Sequence, residues 1–364
     1  MKIPNSISDL WKAPAILLSQ YKRSDLPVLG YTCNNIPEEL IIAAGLQPFR
    51  ISNVGANQSA LTPSFTCPFA SATLENMLKL EEFFSGFAIA HTCDPMWRLY
   101  DILKKKISKP LFLLRPPHNT DNELSLSFLR LEFNRFKEFL DKNFEARIDD
   151  DSLSKSIKLC NETRDLLKGI YLLNEGVNCK ISGFDRFQLV LAGMWMRKAE
   201  LNSLLKALVV NNEKACDGVR VHVNGTVIYD LNLIKAIGES GGFVASDDLC
   251  TGSRYFWNNV EDSQDHFSAL AHRYLKKPLC PAQDPLHRRL GFIDDMVEKF
   301  QIQGVVTFAE KFCDPIFFDS VHIRNNLAKK GIPSLFVDYE NPTQEIGRIR
   351  TRLEAFIESV GGGS

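Results

Sequence analysis

VLGYTCNNIPEELIIAAGLQPFRI, residues 28–51, decides the fold. An unbroken apolar run (28–31) is followed by a helical pattern (37–45) that Pro37 opens and Gly45 closes. A second apolar run (48–51) comes next. Strands without polar alternation are buried on both faces, and strand–helix–strand order then implies a parallel sheet covered by helices. Outward from this stretch the same grammar continues. A helix is expected over 68–82, a strand at FAIA (87–90), a helix over 94–106 and a strand at LFLL (111–114), stopped by Pro116-Pro117.

From about residue 121 the strands vanish. The stretch 126–144 carries Phe128, Leu129, Phe133, Phe136, Phe139 and Leu140 at helical spacing, a packing stripe rather than a cofactor box. From about 217 the alternation returns, with strands at VRVHV (219–223), FVAS (243–246), VVTF (305–308) and SLFVD (334–338). Helices fall near 230–240, 263–276, 290–302 and 320–330. The last helix puts Ile346, Ile349, Leu353, Phe356, Ile357 and Val360 on one face. The expected organisation is an α/β N-terminal lobe with a leading helix (1–120), a helical segment (121–210) and an α/β C-terminal lobe (211–364). A cleft between two such lobes is the natural place for a site.

Composition narrows the function. The 364 residues are 45% hydrophobic and 24% charged, which excludes wholesale disorder. Lys plus Arg number 43 against 44 Asp plus Glu, and no basic tract occurs, so nothing recruits nucleic acid or an anionic membrane. No apolar run approaches a membrane span, and the opening MKIPNSISDLWKAPAILL is interrupted by Pro, Asp and Lys. A cytoplasmic protein is expected. Neither GxxxxGK(S/T) nor GxGxxG occurs, so energy for demanding chemistry would come from a partner.

Nine cysteines stand out, at 33, 67, 93, 160, 179, 216, 250, 280 and 313. An odd count without a secretion signal argues for thiols rather than a disulfide framework. Cys33, Cys93, Cys250 and Cys313 each lie just beyond an expected strand, at the carboxyl edge where α/β sheets bind ligands. Cys67 and Cys280 precede prolines in connecting loops. Thiols before Pro sit at helix N-termini, where the dipole is expected to lower their pKa. Cys160, Cys179 and Cys216 lack this pattern and read as ordinary buried residues. Zinc sites use short C-x₂₋₄-C spacings, absent here; thiolates arriving from separate lobes suit an iron–sulfur cluster. His91, two residues before Cys93, stands where it could support such a cluster. The other six histidines read as packing or surface residues.

These motifs in order resemble the 2-hydroxyacyl-CoA dehydratase/benzoyl-CoA reductase superfamily, including its double-cubane-cluster branch. The resemblance runs nearly end to end, through GYTCNNIPEELIIAAGLQPFRI, TCPFA, HTCDPMWRLYDIL, SLSKSIKLCNETRDLL, ISGFD, GGFVASDDLCTGSRYF, KKPLCP, GVVTFAEKFCDP, GIPSLFVDYE and GRIRTRLEAFIE. It implies two Rossmann-like lobes with a 4Fe–4S cluster in the interlobe cleft, held by Cys67, Cys93 and Cys313. It also implies an ATP-hydrolysing iron–sulfur activator, an acyl-CoA substrate, anaerobic chemistry, and a homodimer or a heterodimer with a paralogous subunit. Dehydratase and reductase subunits usually look like GYFPVYAPEEL at the first motif. Cys33, together with Cys250 and Cys280, instead looks like the double-cubane branch, which implies an 8Fe–9S cluster on six cysteines and small-molecule reduction. HVNGTV departs from the GSP- or GCP-type turn of the family. KFCDP and RIRTRLEAFIE look as much like the acyl-CoA enzymes. A third reading is a non-catalytic electron-relay subunit. Glu39, opening the first lobe's helix, is the candidate proton handler; an ordinary first-turn carboxylate explains it equally well.

Overall fold

The computed structural model describes residues 5–208 and 217–362. Four strands, β1 (Val28–Tyr31), β2 (Gln47–Arg50), β3 (Gly86–Ala90) and β4 (Leu111–Leu114), form one parallel sheet in the order β2-β1-β3-β4. Four more, β5 (Val219–Gly225), β6 (Gly242–Asp248), β7 (Gly304–Glu310) and β8 (Ser334–Tyr339), form a second in the order β6-β5-β7-β8. Both pair in parallel throughout, as two Rossmann-like lobes require. In each the chain leaves the first strand to one side and returns on the other. The loops therefore diverge between β1 and β3, and between β5 and β7, opening a crevice at the carboxyl ends.

The boundaries follow local chemistry. The helix Glu38–Ala43 starts after Pro37 and ends at Gly45, whose φ of +78° suits a residue without Cβ. The helices Pro68–Lys79, Asp94–Lys106 and Asp314–Lys329 begin right after Cys67, Cys93 and Cys313, with Pro in the first turn. β6 runs two residues beyond FVAS because its two aspartates are neutralised in place. Asp247 accepts from the Leu249 and Ser253 amides at 2.9 and 2.8 Å, and from the Tyr171 hydroxyl. Asp248 pairs with Arg254 at 2.8 Å and Arg289 at 2.9 Å.

The helical segment bolts the lobes together. In the helix Glu123–Phe144, Leu129, Phe133, Phe136 and Leu140 are buried against the first sheet, whereas Phe128 is 40% exposed and leaves the stripe. Trp195 donates its indole N–H to the Arg50 carbonyl at 2.8 Å, and Arg186 donates to the Ala245 carbonyl at 2.9 Å. One buried side chain thus grips each lobe; hydrogen bonds of this kind are worth about 1–3 kcal/mol each. Among the described residues no helix is long and apolar enough to cross a membrane.

Candidate functional site

All six cysteines singled out in the sequence line one cavity of about 110 Å³ between the lobes. Cys33 follows β1, Cys93 follows β3, Cys250 follows β6 and Cys313 follows β7, while Cys67 and Cys280 come from connecting loops. The turn after β5 (Gly225, Thr226, Val227) completes the wall. Gly225 has φ +143°, and a Cβ there would lie 2.0 Å from the Phe308 carbonyl oxygen, so only glycine lets β5 and β7 close up.

The thiols fall into two neighbourhoods. Cys67 interacts with Cys313, and its sulfur lies 3.9 Å from the Glu310 carboxyl group, which also accepts from the Phe69 amide at 3.0 Å. Cys250 and Cys280 share the other side with Cys33, facing Arg50, Arg254 and Lys277. Cys93 feels both sets. Arg50 reaches across the lobes, donating to the Cys250 sulfur at 3.0 Å, its carbonyl at 2.7 Å and the Asn34 side chain at 2.6 Å. Asn34 in turn donates to the Cys250 carbonyl at 2.5 Å and accepts Lys277 on its own carbonyl at 2.8 Å.

Acidities separate accordingly. Cys67 is pushed well up, first by its hydrogen bond with Cys313 and then by burial; Cys93 is pushed up to about 12, mainly by burial. Burial also raises Cys280. The dipole argument from sequence therefore fails: at Cys67 and Cys93 the amides of Phe69, Ala70 and Met96 do lower the thiols, but desolvation and neighbouring thiols outweigh the helix termini, and Cys280, expected at a helix start, begins no helix. Cys250 alone moves down, because Arg50 and Arg254 overcome its burial. Lys277 is pushed down to about 7 by burial and then by Arg273.

The donor set fits a polynuclear anionic group. Six thiols surround the cavity, a soft donor set of the kind that holds iron–sulfur groups. The wall also carries buried cations, and the Nε of Arg50 has no hydrogen-bond partner among the described residues. Thiolate ligation of iron would supply the missing negative charge.

Other residues read in the sequence lie elsewhere. Glu39 does not line the cavity; it is fully buried, ion-paired with Arg164 and hydrogen-bonded to Tyr274 at 2.8 Å. Burial opposes ionisation there, but Arg164 and Arg273 hold the carboxyl at about 2. That geometry fits the structural carboxylate, not the proton handler. His91 stands edge-on to Trp97, ring centres 4.2 Å apart. Cys160 is a buried thiol, Cys216 lies outside the described residues, and Cys179 is disulfide-bonded, against the expectation of thiols throughout. An odd total excludes a complete framework but not a single pair. Sequence reasoning missed Arg50, Asn34, Lys277 and Glu310. Arg50 is the last residue of β2, and no local pattern marks a charge that serves the opposite lobe.

Fold and cavity together define a two-lobed α/β protein built around an interlobe thiol site. The chain belongs to the family described as 2-hydroxyglutaryl-CoA dehydratase, D-component, whose model matches residues 33–360. It is 24% identical to the (R)-phenyllactyl-CoA dehydratase beta subunit of Clostridium sporogenes, over 99% of both chains. It is 26% identical to one of the subunits of benzoyl-CoA reductase from Thauera aromatica, over 94% of this chain and 93% of that one. It is also 26% identical to the (R)-2-hydroxyglutaryl-CoA dehydratase beta subunit of Acidaminococcus fermentans, over 96% of each.

Proposed function

We propose that the chain is the iron–sulfur subunit of an enzyme of the 2-hydroxyacyl-CoA dehydratase/benzoyl-CoA reductase type, passing low-potential electrons from an ATP-dependent activator to an acyl-CoA thioester. One observation carries the reading: thiols distant in sequence and drawn from both lobes meet on the wall of one buried cavity. Relatives of nearly equal length, named as subunits of acyl-CoA enzymes, support the substrate class and a partner subunit. Cys67, Cys93 and Cys313 would hold the cluster. When bound, it supplies one-electron transfer at a potential that ligand charge and hydrogen bonding tune.

The protein's own part is positioning. Three ligands at helix starts are fixed by backbone, so the site does not depend on flexible side chains. Arg50 and Asn34 tie the first lobe to Cys250 of the second. The second reading, a double-cubane reductase of small molecules, is favoured by one specific observation. Cys33, Cys250 and Cys280 share the same cavity rather than standing apart from it.

Anaerobic purification followed by iron and acid-labile sulfide analysis with EPR tests both. About four irons per chain supports the acyl-CoA reading, and about eight, halved by Cys33→Ala, supports the double cubane. Colourless protein after reconstitution, holding only zinc, refutes both.

A further inference from the structure

The two neighbourhoods of the cavity differ in charge. Around Cys33, Cys250 and Cys280 stand Arg50, Arg254 and Lys277, all buried. Arg254 is offset by Asp248, and Arg50 is already engaged with Cys250 and Asn34. Lys277 is different: it is 4% exposed, donates to the Asn34 carbonyl at 2.8 Å, lies 5.6 Å from the Tyr274 ring centre and forms no ion pair with a carboxylate among the described residues, while Arg273 and the three thiols act on it electrostatically. Around Cys67 and Cys313 the setting differs: burial pushes the Glu310 carboxyl well up, toward its neutral form. Their buried neighbour is Glu310, and no Lys or Arg figures among the described groups that shift Cys67, Cys93 or Glu310.

A buried ammonium without a carboxylate partner costs several kcal/mol of desolvation unless something anionic faces it. Among the described residues, the groups so placed are the thiols of its own wall. A positive charge facing a redox centre in a low-dielectric cavity stabilises the reduced and more negative state, and an anionic centre there in turn favours the protonated form of Lys277.

We infer that Lys277 is a redox-positioning residue: it raises the potential of iron held on the Cys33–Cys250–Cys280 wall above that of iron held by Cys67, Cys93 and Cys313. An electron delivered singly by a low-potential iron–sulfur donor to the Cys67 side is thereby drawn to the Lys277 side. One centre is oxidised as the other is reduced, and the charge that moves is met by Lys277. The inference rests on the iron–sulfur reading above, in the form in which all six thiols bind iron.

Potentiometric EPR titration of anaerobically reconstituted full-length protein tests it, with iron counted on the same samples. The wild type should show two resolved reduction steps. Lys277→Met should lower the upper midpoint and leave the lower one in place, with iron per chain unchanged, and Lys277→Arg should restore the upper midpoint. If Lys277→Met loses iron, Lys277→Gln, which keeps a donor for the Asn34 carbonyl, is titrated against the same expectation. A full-iron Lys277 variant in which neither step moves, or both move equally, overturns the inference and leaves the cluster reading standing. A single step in the wild type also overturns it. Wild-type protein without iron refutes the cluster reading itself, a distinct result.

Discussion

Glu39→Gln separates a structural carboxylate from a catalytic one. In the fold Glu39 is fully buried, ion-paired to Arg164 and hydrogen-bonded to Tyr274. Its carboxyl is held at about 2 against an ordinary 4.5, since Arg164 and Arg273 outweigh burial. A depressed folded-state pKa contributes stability that is fully present above the unfolded value and lost as pH falls through the folded one. At about 1.4 kcal/mol per unit, the difference amounts to roughly 3 kcal/mol. Glutamine keeps the shape and an acceptor but leaves Arg164 buried without its counter-ion, a change of the same order. Urea unfolding of the metal-free protein should therefore show the variant about 3 kcal/mol weaker at pH 7. The gap should close between pH 4.5 and pH 2, where the wild type loses the same charge. If both proteins unfold alike at every pH while enzymatic turnover collapses, the structural assignment is wrong and Glu39 handles protons after all.

Three further outcomes are expected. Cys67→Ala, Cys93→Ala and Cys313→Ala should each abolish or strongly degrade the cluster, seen as lost iron and visible absorbance, whereas Cys160→Ala should keep full iron at a cost near 1 kcal/mol. Gly225→Ala should destabilise by more than about 3 kcal/mol in urea, because φ +143° strains any L-residue and the new Cβ meets the Phe308 carbonyl. Arg50→Met should release Cys250 from the cation that donates to its sulfur, so that thiol should alkylate more slowly near neutral pH in metal-free protein.

Most of the architecture was legible because buried parallel strands write themselves as apolar runs. LFLL falls on β4, and the 94–106 helix matches Asp94–Lys106. Where the reading stopped short, buried polar groups were the reason. β6 and β7 extend into Asp247, Asp248 and Glu310, residues that strands normally avoid. The aspartates stay because Tyr171 donates to Asp247 while Arg254, close by, and Arg289, distant in sequence, pair with Asp248. The six thiols were visible as a set because each follows a strand or precedes a proline. What each thiol faces was not, since that depends on how the lobes close. The same holds for Glu39: its place at a helix start was readable, but Arg164, contributed by the helical segment, was not.

That closure explains why the site needs both lobes rather than a copy in each. Each sheet alone presents thiols at its carboxyl edge, but the counter-charges are shared: Arg254 serves Cys250 from within its own lobe and Arg50 from the other. Arg50, ending β2, serves Cys250 beyond β6; Lys277, in the second lobe, caps Asn34 in the first. A substitution that loosens this exchange disturbs the Cys33–Cys250–Cys280 wall, because Arg50 and Lys277 make their crossed contacts there. Cys67, Cys93 and Cys313 are each placed by the helix they start, but the first two stand in one lobe and Cys313 in the other. Both walls of the cavity are thus conditional on lobe closure: Cys67 and Cys93 meet Cys313, and Cys33 meets Cys250 and Cys280, only when the two carboxyl edges face each other.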